Sequence, residues 1–312
     1  MIKELEIYSE KCADGVERVV LPRPDHFDIE KIFDCGQCFR FDRVETSVHE
    51  CEYSGVAFGR FVSFAQDGDT IYIYNSDEKE FEEIWSDFLC LDMDYSAIDG
   101  DILANCGGIV MENAAREGRG IRILRQDPFE SVISFIISQN NNIPRIKKII
   151  ESLCARLGER IDTSGLEAHL SGRSSLCSFP DVRAIHELGV DGLYELRTGF
   201  RAKYIFDCVE KIMSGELDLA QVAELESTDH AIEELCRVKG IGVKVASCAL
   251  LFGFGRYDAF PVDVWMKRAV EKYFPEYSES LKRGDFSPSV FGRYAGIAQQ
   301  YLFYYERYQG GE

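Results

Sequence analysis

Hydrophobic and polar positions alternate along the first quarter of the chain and then change period. The segments KELEIYS, ERVVLPRP, GQCFRFDRV, GVAFGRFVSFAQ and TIYIYNS, which make up a β region over about residues 1–75, are short and rich in β-branched and aromatic residues. Gly, Asp or Asn punctuates them, which predicts antiparallel strands. Past Asp77 the period lengthens. Phe81, Ile84, Trp85, Phe88 and Leu89 fall at i, i+3, i+4, i+7 and i+8, the stripe of a helix lying on a core. From about residue 100 onward most of the chain reads as helical. Asp127-Pro128-Phe129-Glu130 marks one helix start, with an acceptor at the N-cap, Pro at N1 and Glu at N3. The apolar run SVISFIIS follows and gives way to Gln139-Asn140-Asn141-Asn142. Consecutive Asn are poor helix formers, so this stretch predicts a turn or a polar edge. A further helix is expected from Pro144. The pattern as a whole predicts an α+β protein. An N-terminal antiparallel β-sheet domain with some helices covers residues 1–124, and an all-helical domain covers 125–312.

The most informative segment is LCRVKGIGVKVASCALLFGF, residues 235–254. It reads as a helix ending at a Gly, a two-residue turn and a second, apolar helix. The pair Gly240 and Gly242 permits positive φ and close backbone approach. The start of the second helix presents unpaired N–H groups, which suit a phosphate. A helix–helix turn of this kind is common by itself. Lys244 falls in the first turn of the second helix, where the helix dipole disfavours a cation. A solvated surface lysine is one reading. The other is a nucleophile whose charged form is disfavoured by dipole and burial together. Cys248 follows at i+4 on the same face. After the loop GFGRYDAF comes Pro261-Val262-Asp263-Val264-Trp265. Asp263 is placed to cap a helix that carries Met266, Ala269, Val270 and Tyr273 inward. A G-x-G turn, a Lys two residues on and a P-V-D some 20 residues later form a constellation rarer than any of its parts. Gln299 and Phe303 repeat the i, i+4 spacing on the last helix.

Six blocks in order carry a family resemblance: DCGQCFRF, LRQDPFESVISFIISQNNNIPRI, LRTGFRAKYI, VKGIGVKVASC, FPVDVW and RYAGIAQQYLF. From about residue 20 to residue 307 the chain resembles the helix-hairpin-helix DNA glycosylases that have a Gly/Pro-rich loop and a catalytic Asp. Within them it is most similar to the 8-oxoguanine DNA glycosylase/lyase branch. The resemblance implies a sheet domain like that of the TATA-binding protein and two helical subdomains with the active cleft between them. It implies that Lys244 attacks the sugar and that Asp263 is the catalytic carboxylate. Cys248 and Phe303 would sandwich the extruded base, Gln299 would bond its Watson–Crick edge, and the Gly36 carbonyl would accept from the oxidised base. Asn140, Arg145 and Arg201 would hold the orphaned cytosine. Phe200 would wedge into the duplex at a position often occupied by Tyr. Gly240, Gly242 and Trp265 would lie along the DNA backbone. Trp265 departs from the pattern, because the family often has His there on a phosphate. Trp offers one N–H and no charge, so weaker or differently placed backbone binding is expected.

The implied chemistry is excision of 8-oxoguanine opposite cytosine through a lysine Schiff base, followed by β-elimination. Two rivals stand beside it. One is a monofunctional glycosylase for alkylated or mismatched bases, which would generally lack the lysine. The other is a non-enzymatic helix-hairpin-helix DNA-binding module, which would not need Asp263, Gln299 and Phe303 together.

Composition adjusts this picture in a few places. The net charge of −19 argues against nucleic acid at first sight, yet binding follows the local field. Residues 75–104 hold ten acids and one base, whereas residues 236–274 hold seven bases and three acids. The 11 Cys are scattered, with one C-x-x-C at Cys35 and Cys38. No second pair exists to complete a zinc ribbon, and two half-buried side chains in a strand turn are expected. The last Cys, Cys248, precedes Asp263, so no iron–sulfur cluster after the Asp is expected. Neither a metal nor another cofactor is expected. No stretch reaches the roughly 18 apolar residues of a membrane span. The opening MIKELEIYSEK predicts a strand rather than a secretory signal, and no basic nuclear-targeting run occurs. A bacterial cytoplasmic monomer acting on double-stranded DNA that contains an oxidised purine is the resulting expectation.

Overall fold

The computed structural model describes residues 6–309 except 14, 46, 174–175 and 285. Six strands form one antiparallel sheet: β1 (Tyr8–Lys11), β2 (Glu17–Pro22), β3 (Phe41–Arg43), β4 (Cys51–Ala57), β5 (Arg60–Asp67) and β6 (Thr70–Tyr74). Their order across the sheet is β1-β2-β6-β5-β4-β3. The hairpin between β4 and β5 turns at Phe58 and Gly59, and its register pairs Ala57 with Arg60. Alternation works as the sequence implies: Phe64, Ile71 and Ile73 face one core, whereas Phe61, Ala65 and Tyr74 face another.

One element interrupts the predicted β region. Residues Ile29–Asp34 form a helix, α1, capped by the Asp28 side chain on Lys31 N. Ile29, Ile32 and Phe33 are buried, a short i, i+3, i+4 stripe that the flanking strand signals conceal. Cys35 is therefore the helix C-cap and Cys38 lies in the loop before β3, not in a strand turn. Both thiols are buried.

The stripe past Asp77 is present. Phe81, Trp85, Phe88 and Leu89 are fully buried under the sheet. Their helical segment, residues 78–88, includes a π-helical stretch at Phe81–Trp85. That bulge leaves Ile84 only partly covered.

The rest is helical: α2 (Tyr95–Asn105), α3 (Ile109–Gly118), α4 (Pro128–Ser138), α5 (Ile143–Leu157), α6 (Val182–Glu195), α7 (Ala202–Ser214), α8 (Thr228–Leu235), α9 (Val243–Gly253), α10 (Val264–Tyr273) and α11 (Ala295–Gln309), with shorter turns between. Asp127 caps α4 through Glu130 N at 2.8 Å, and Asn142 caps α5 through Arg145 N at 3.0 Å. Central apolar helices α4 and α9 are buried nearly all round and pack on each other, with Phe135 stacked on Phe252 at 5.4 Å. Side chains from α2 and α3 belong to this helical core, and α11 runs along α3. The end of the chain thus packs on residues that precede α4.

Two buried arrays tie the sheet to the helices. Arg122 donates to the carbonyls of Asp25, His26, Cys90 and Met93. Glu52 accepts from His169 at 2.5 Å and Ser63 at 2.6 Å, and from Ser47. Burial raises the Glu52 proton affinity, but those hydrogen bonds prevail and hold its carboxyl below the usual glutamate range.

Candidate active site

The hairpin places Lys244. The first helix ends at Leu235, and residues 236–242 form the turn before α9, longer than the two-residue turn that the sequence suggested. Of the two glycines only Gly240 has positive φ, at 83°. A Cβ there would sit 2.3 Å from the Tyr204 ring, so close packing on α7 also demands Gly. Gly242 is an extended N-cap at φ −106° with open space where a Cβ would go. It supplies access to the helix N–H groups rather than an unusual backbone conformation, which corrects the expectation for the pair. Lys244 occupies the first turn and is half-buried.

Asp263 caps α10 through Met266 N at 2.7 Å, as its spacing predicts. Met266, Ala269 and Val270 are buried beneath it, while Tyr273 is partly covered and donates to Glu306 at 2.6 Å.

These helices enclose a cleft of about 730 Å³. Gly36, Lys244, Cys248, Asp263, Trp265, Gln299 and Phe303 all line it. Seven of the thirteen residues singled out from sequence therefore converge, from four parts of the chain. Cys248 reports on the other two reactive groups. Burial pushes its thiol up, the nearby Lys244 amine opposes the shift, and the Asp263 charge adds to it. Lysine, thiol and carboxylate accordingly share one small volume.

Gln299 is buried at 5% exposure, and its Oε1 has no hydrogen-bond partner. Buried polar atoms are almost always paired. Gln299 lines the cleft together with Lys244 and Phe303, and an unpaired acceptor in that wall suits a flat ligand with N–H groups on its edge.

A second group lies along the neighbouring surface. Asn140 adopts φ 46° and is exposed. Arg201, 2% exposed, donates from Nε to the Gln139 carbonyl at 2.8 Å, from Nη2 to the Asn140 carbonyl at 2.9 Å and from Nη1 to the Thr198 carbonyl at 3.2 Å. Burial lowers its pKa, and the positive charge of Arg145 lowers it further, so the two guanidiniums are neighbours. Arg145 is exposed whereas Arg201 is committed to backbone carbonyls. Phe200 projects at 48% exposure, its ring 4.4 Å from the Arg201 guanidinium carbon and set edge-on to Tyr204. Trp265 is 54% exposed and lies beneath the Arg268 guanidinium at 5.6 Å, so a cation accompanies the indole.

Sequence reasoning missed several polar residues around Gly36. Gln37 is fully buried; its Nε2 donates to the Ile32 and Arg122 carbonyls, both at 2.8 Å, and its Oε1 accepts from Leu124 N at 2.8 Å. Gln300, next to Gln299, donates to the Cys35 carbonyl at 3.0 Å. The signal available was the Gln-Gln pair inside the apolar run AGIAQQYLF, since adjacent helical positions cannot share one face. No group of His, Cys, Asp and Glu able to hold a metal occurs among the described residues.

Residues 19–132 match the family described as 8-oxoguanine DNA glycosylase, N-terminal domain, and residues 133–281 match the HhH-GPD superfamily base excision DNA repair protein family. An N-glycosylase/DNA lyase of Arabidopsis thaliana is 30% identical over 291 residues, covering 87% of this chain and 75% of the plant protein. The apo crystal structure of the Clostridium acetobutylicum 8-oxoguanine glycosylase/lyase superposes with TM-score 0.85 at 39% identity, covering 96% of this chain and 98% of that one. The same clostridial enzyme in complex with double-stranded DNA containing cytosine opposite 8-oxoguanine gives TM-score 0.83 at 36% identity, covering 97% and 98%.

Proposed function

Because this chain belongs to the 8-oxoguanine DNA glycosylase family of HhH-GPD base-excision repair proteins, we propose that it excises 8-oxoguanine preferentially opposite cytosine, through a Schiff base on Lys244. It is a DNA repair N-glycosylase with lyase activity. The observation that carries the reading is the unpaired Gln299 Oε1 in the cleft that also holds Lys244 and Asp263. 8-Oxoguanine presents N1–H and an exocyclic amino group on its Watson–Crick edge, and both need acceptors.

Phe200 wedges into the duplex and the lesion rotates into the cleft. Stacking between Cys248 and Phe303 offsets the few kcal/mol of unstacking. The Lys244 amine forms a bond to C1′ as the glycosidic bond breaks, and the base departs with that electron pair and gains a proton. Asp263 faces the positive charge that develops on the sugar. Ring opening then gives the Schiff base. Loss of a C2′ proton expels the 3′ phosphate and nicks the strand. Guanine carries C8–H and a bare N7, whereas 8-oxoguanine carries a C8 carbonyl and N7–H, so at N7 itself the two differ by one proton. The Gly36 carbonyl accepts N7–H from the lesion and faces a lone pair in guanine, which costs about 1–3 kcal/mol before repulsion.

Opposite the lesion, cytosine offers two acceptors, N3 and O2, to guanidinium donors. Adenine offers one, N1, and turns an amino group towards an arginine. Arg145 is the exposed member of the pair. Arg145→Ala should lower excision opposite cytosine selectively; equal loss opposite cytosine and adenine would reduce it to a phosphate contact.

Borohydride trapping on duplex containing 8-oxoguanine tests the core of the proposal. The wild-type protein should give a covalent adduct, and Lys244→Gln should bind the duplex without forming one. Full trapping by that variant would exclude Lys244 as the nucleophile.

A further inference from the structure

The Gly36 carbonyl can discriminate one proton only if its position is fixed, and a glycine at φ +84° with nothing within 4 Å of its Cβ position has no side-chain packing to fix it. The peptides on either side are held instead. Cys35 O accepts from Gln300 Nε2 at 3.0 Å. Gln37 O accepts from Gln126 Nε2 at 2.8 Å. The buried Gln37 side chain is bonded to the Ile32 and Arg122 carbonyls and to Leu124 N. Between these anchors, no donor among the described residues is paired with Gly36 O.

Gln300 also follows Gln299 directly on α11. One turn of this helix therefore carries Gln299 in the cleft wall and, about 100° around the axis, holds the neighbour of the second acceptor. The helix that carries Gln299 reaches this turn through Gln300 to the Cys35 carbonyl and, one residue further from Gly36, through Arg307 to the Asp34 carbonyl, both at 3.0 Å; the Gln300 bond is the one on the peptide adjoining Gly36.

We propose that Gln300 is a positioning residue that fixes the Gly36 carbonyl relative to Gln299, with Gln126 securing the other side of the same turn, so that the two acceptors span opposite edges of one oxidised purine. The inference rests on the reading of this cleft as an 8-oxoguanine pocket. Without the Gln300 bond, the Cys35 peptide is free to rotate and the Gly36 carbonyl no longer waits in the N7–H direction. The lysine and the carboxylate are held by other helices and stay in place.

The test compares two reactions of one protein: single-turnover excision of 8-oxoguanine opposite cytosine, and cleavage of a preformed abasic site opposite cytosine. Only the first uses the base acceptors. Gln300→Met keeps length and packing but removes the donor. The ratio of base excision to abasic-site cleavage should fall about tenfold, the worth of one hydrogen bond expressed in rate. The residual discrimination between 8-oxoguanine and guanine should fall with it. Gln126→Met should shift the ratio in the same direction. If Gln300→Met loses both reactions together through misfolding, Gln126→Met decides. An unchanged ratio in the folded variants overturns the positioning role while leaving the proposed activity intact. A wild-type protein that cleaves abasic sites yet excises no 8-oxoguanine overturns both.

Discussion

Replacing Gln299 by Met separates two costs that the free protein now carries together. Gln299 Oε1 is buried and unpaired, and an unsatisfied buried acceptor costs about 1–3 kcal/mol. Met fills nearly the same volume without that atom. The variant should therefore be more stable than wild type when no DNA is present. Unfolding entropy of about 2.1 cal/mol/K per residue, over 312 residues, gives a slope of about 0.65 kcal/mol/K. The gain then corresponds to a rise in Tm of about 2–5 °C. Activity should move the other way. The lesion's Watson–Crick donors would enter an apolar wall, and kcat/KM for 8-oxoguanine should fall about 10- to 100-fold. Cleavage of preformed abasic sites should fall far less, since no base is read there. Scanning calorimetry and single-turnover gels check the two halves. A Tm that drops, with both reactions declining in parallel, would refute the reasoning, because Gln299 would then be a core residue and not an acceptor held open for a ligand.

Asp263→Asn should keep the cap on Met266 N, because Asn caps as well as Asp, and so leave Tm within about 1 °C. Excision should slow by about 10²-fold as the charge facing the sugar is lost; wild-type rates would make Asp263 a cap alone. The pH dependence should locate the buried Glu52. Its carboxyl is held below the usual glutamate range, so its contribution is present above that range and is lost as pH falls through the folded-state value. Wild-type Tm should consequently fall more steeply below pH 4.5 than that of Glu52→Gln, which starts lower at neutral pH; parallel curves would refute the assignment.

The sequence exposes the features that depend on local periodicity or on capping chemistry. Strand alternation, the Phe81–Leu89 stripe and the caps at Asp127 and Asp263 all appear where their spacing places them. The helix Ile29–Asp34 escaped because it is too short to establish a period between strands. At the hairpin, the G-x-G pattern located the turn but not its length, since Cys236–Lys239 close it through backbone bonds such as Val238 N to Leu235 O and Ile241 N to Val238 O. The site was legible where reactive residue types coincide with family blocks. Its supports were not. Gln37, Gln126 and Gln300 act on backbone carbonyls, and a carbonyl looks the same whichever residue supplies it. Arg201 illustrates the same limit, because the sequence shows its charge but not that three carbonyls occupy it in the DNA-free state.

The path of α11 along α3 has a consequence for damaged messages. Tyr301 on α11 donates to Asp99 at 2.9 Å, and the side chains of Ile297, Ala298, Tyr301 and Leu302 complete the helical core. Gln299, the proposed base acceptor, is thus part of the last piece needed to close that core. A polypeptide cut short before this helix would still encode Lys244 and Asp263. It would lack the surface that lets those groups come together, and it would be cleared as unfolded chain. Truncation before Ala295 should therefore remove the protein altogether rather than leave Lys244 and Asp263 working without Gln299.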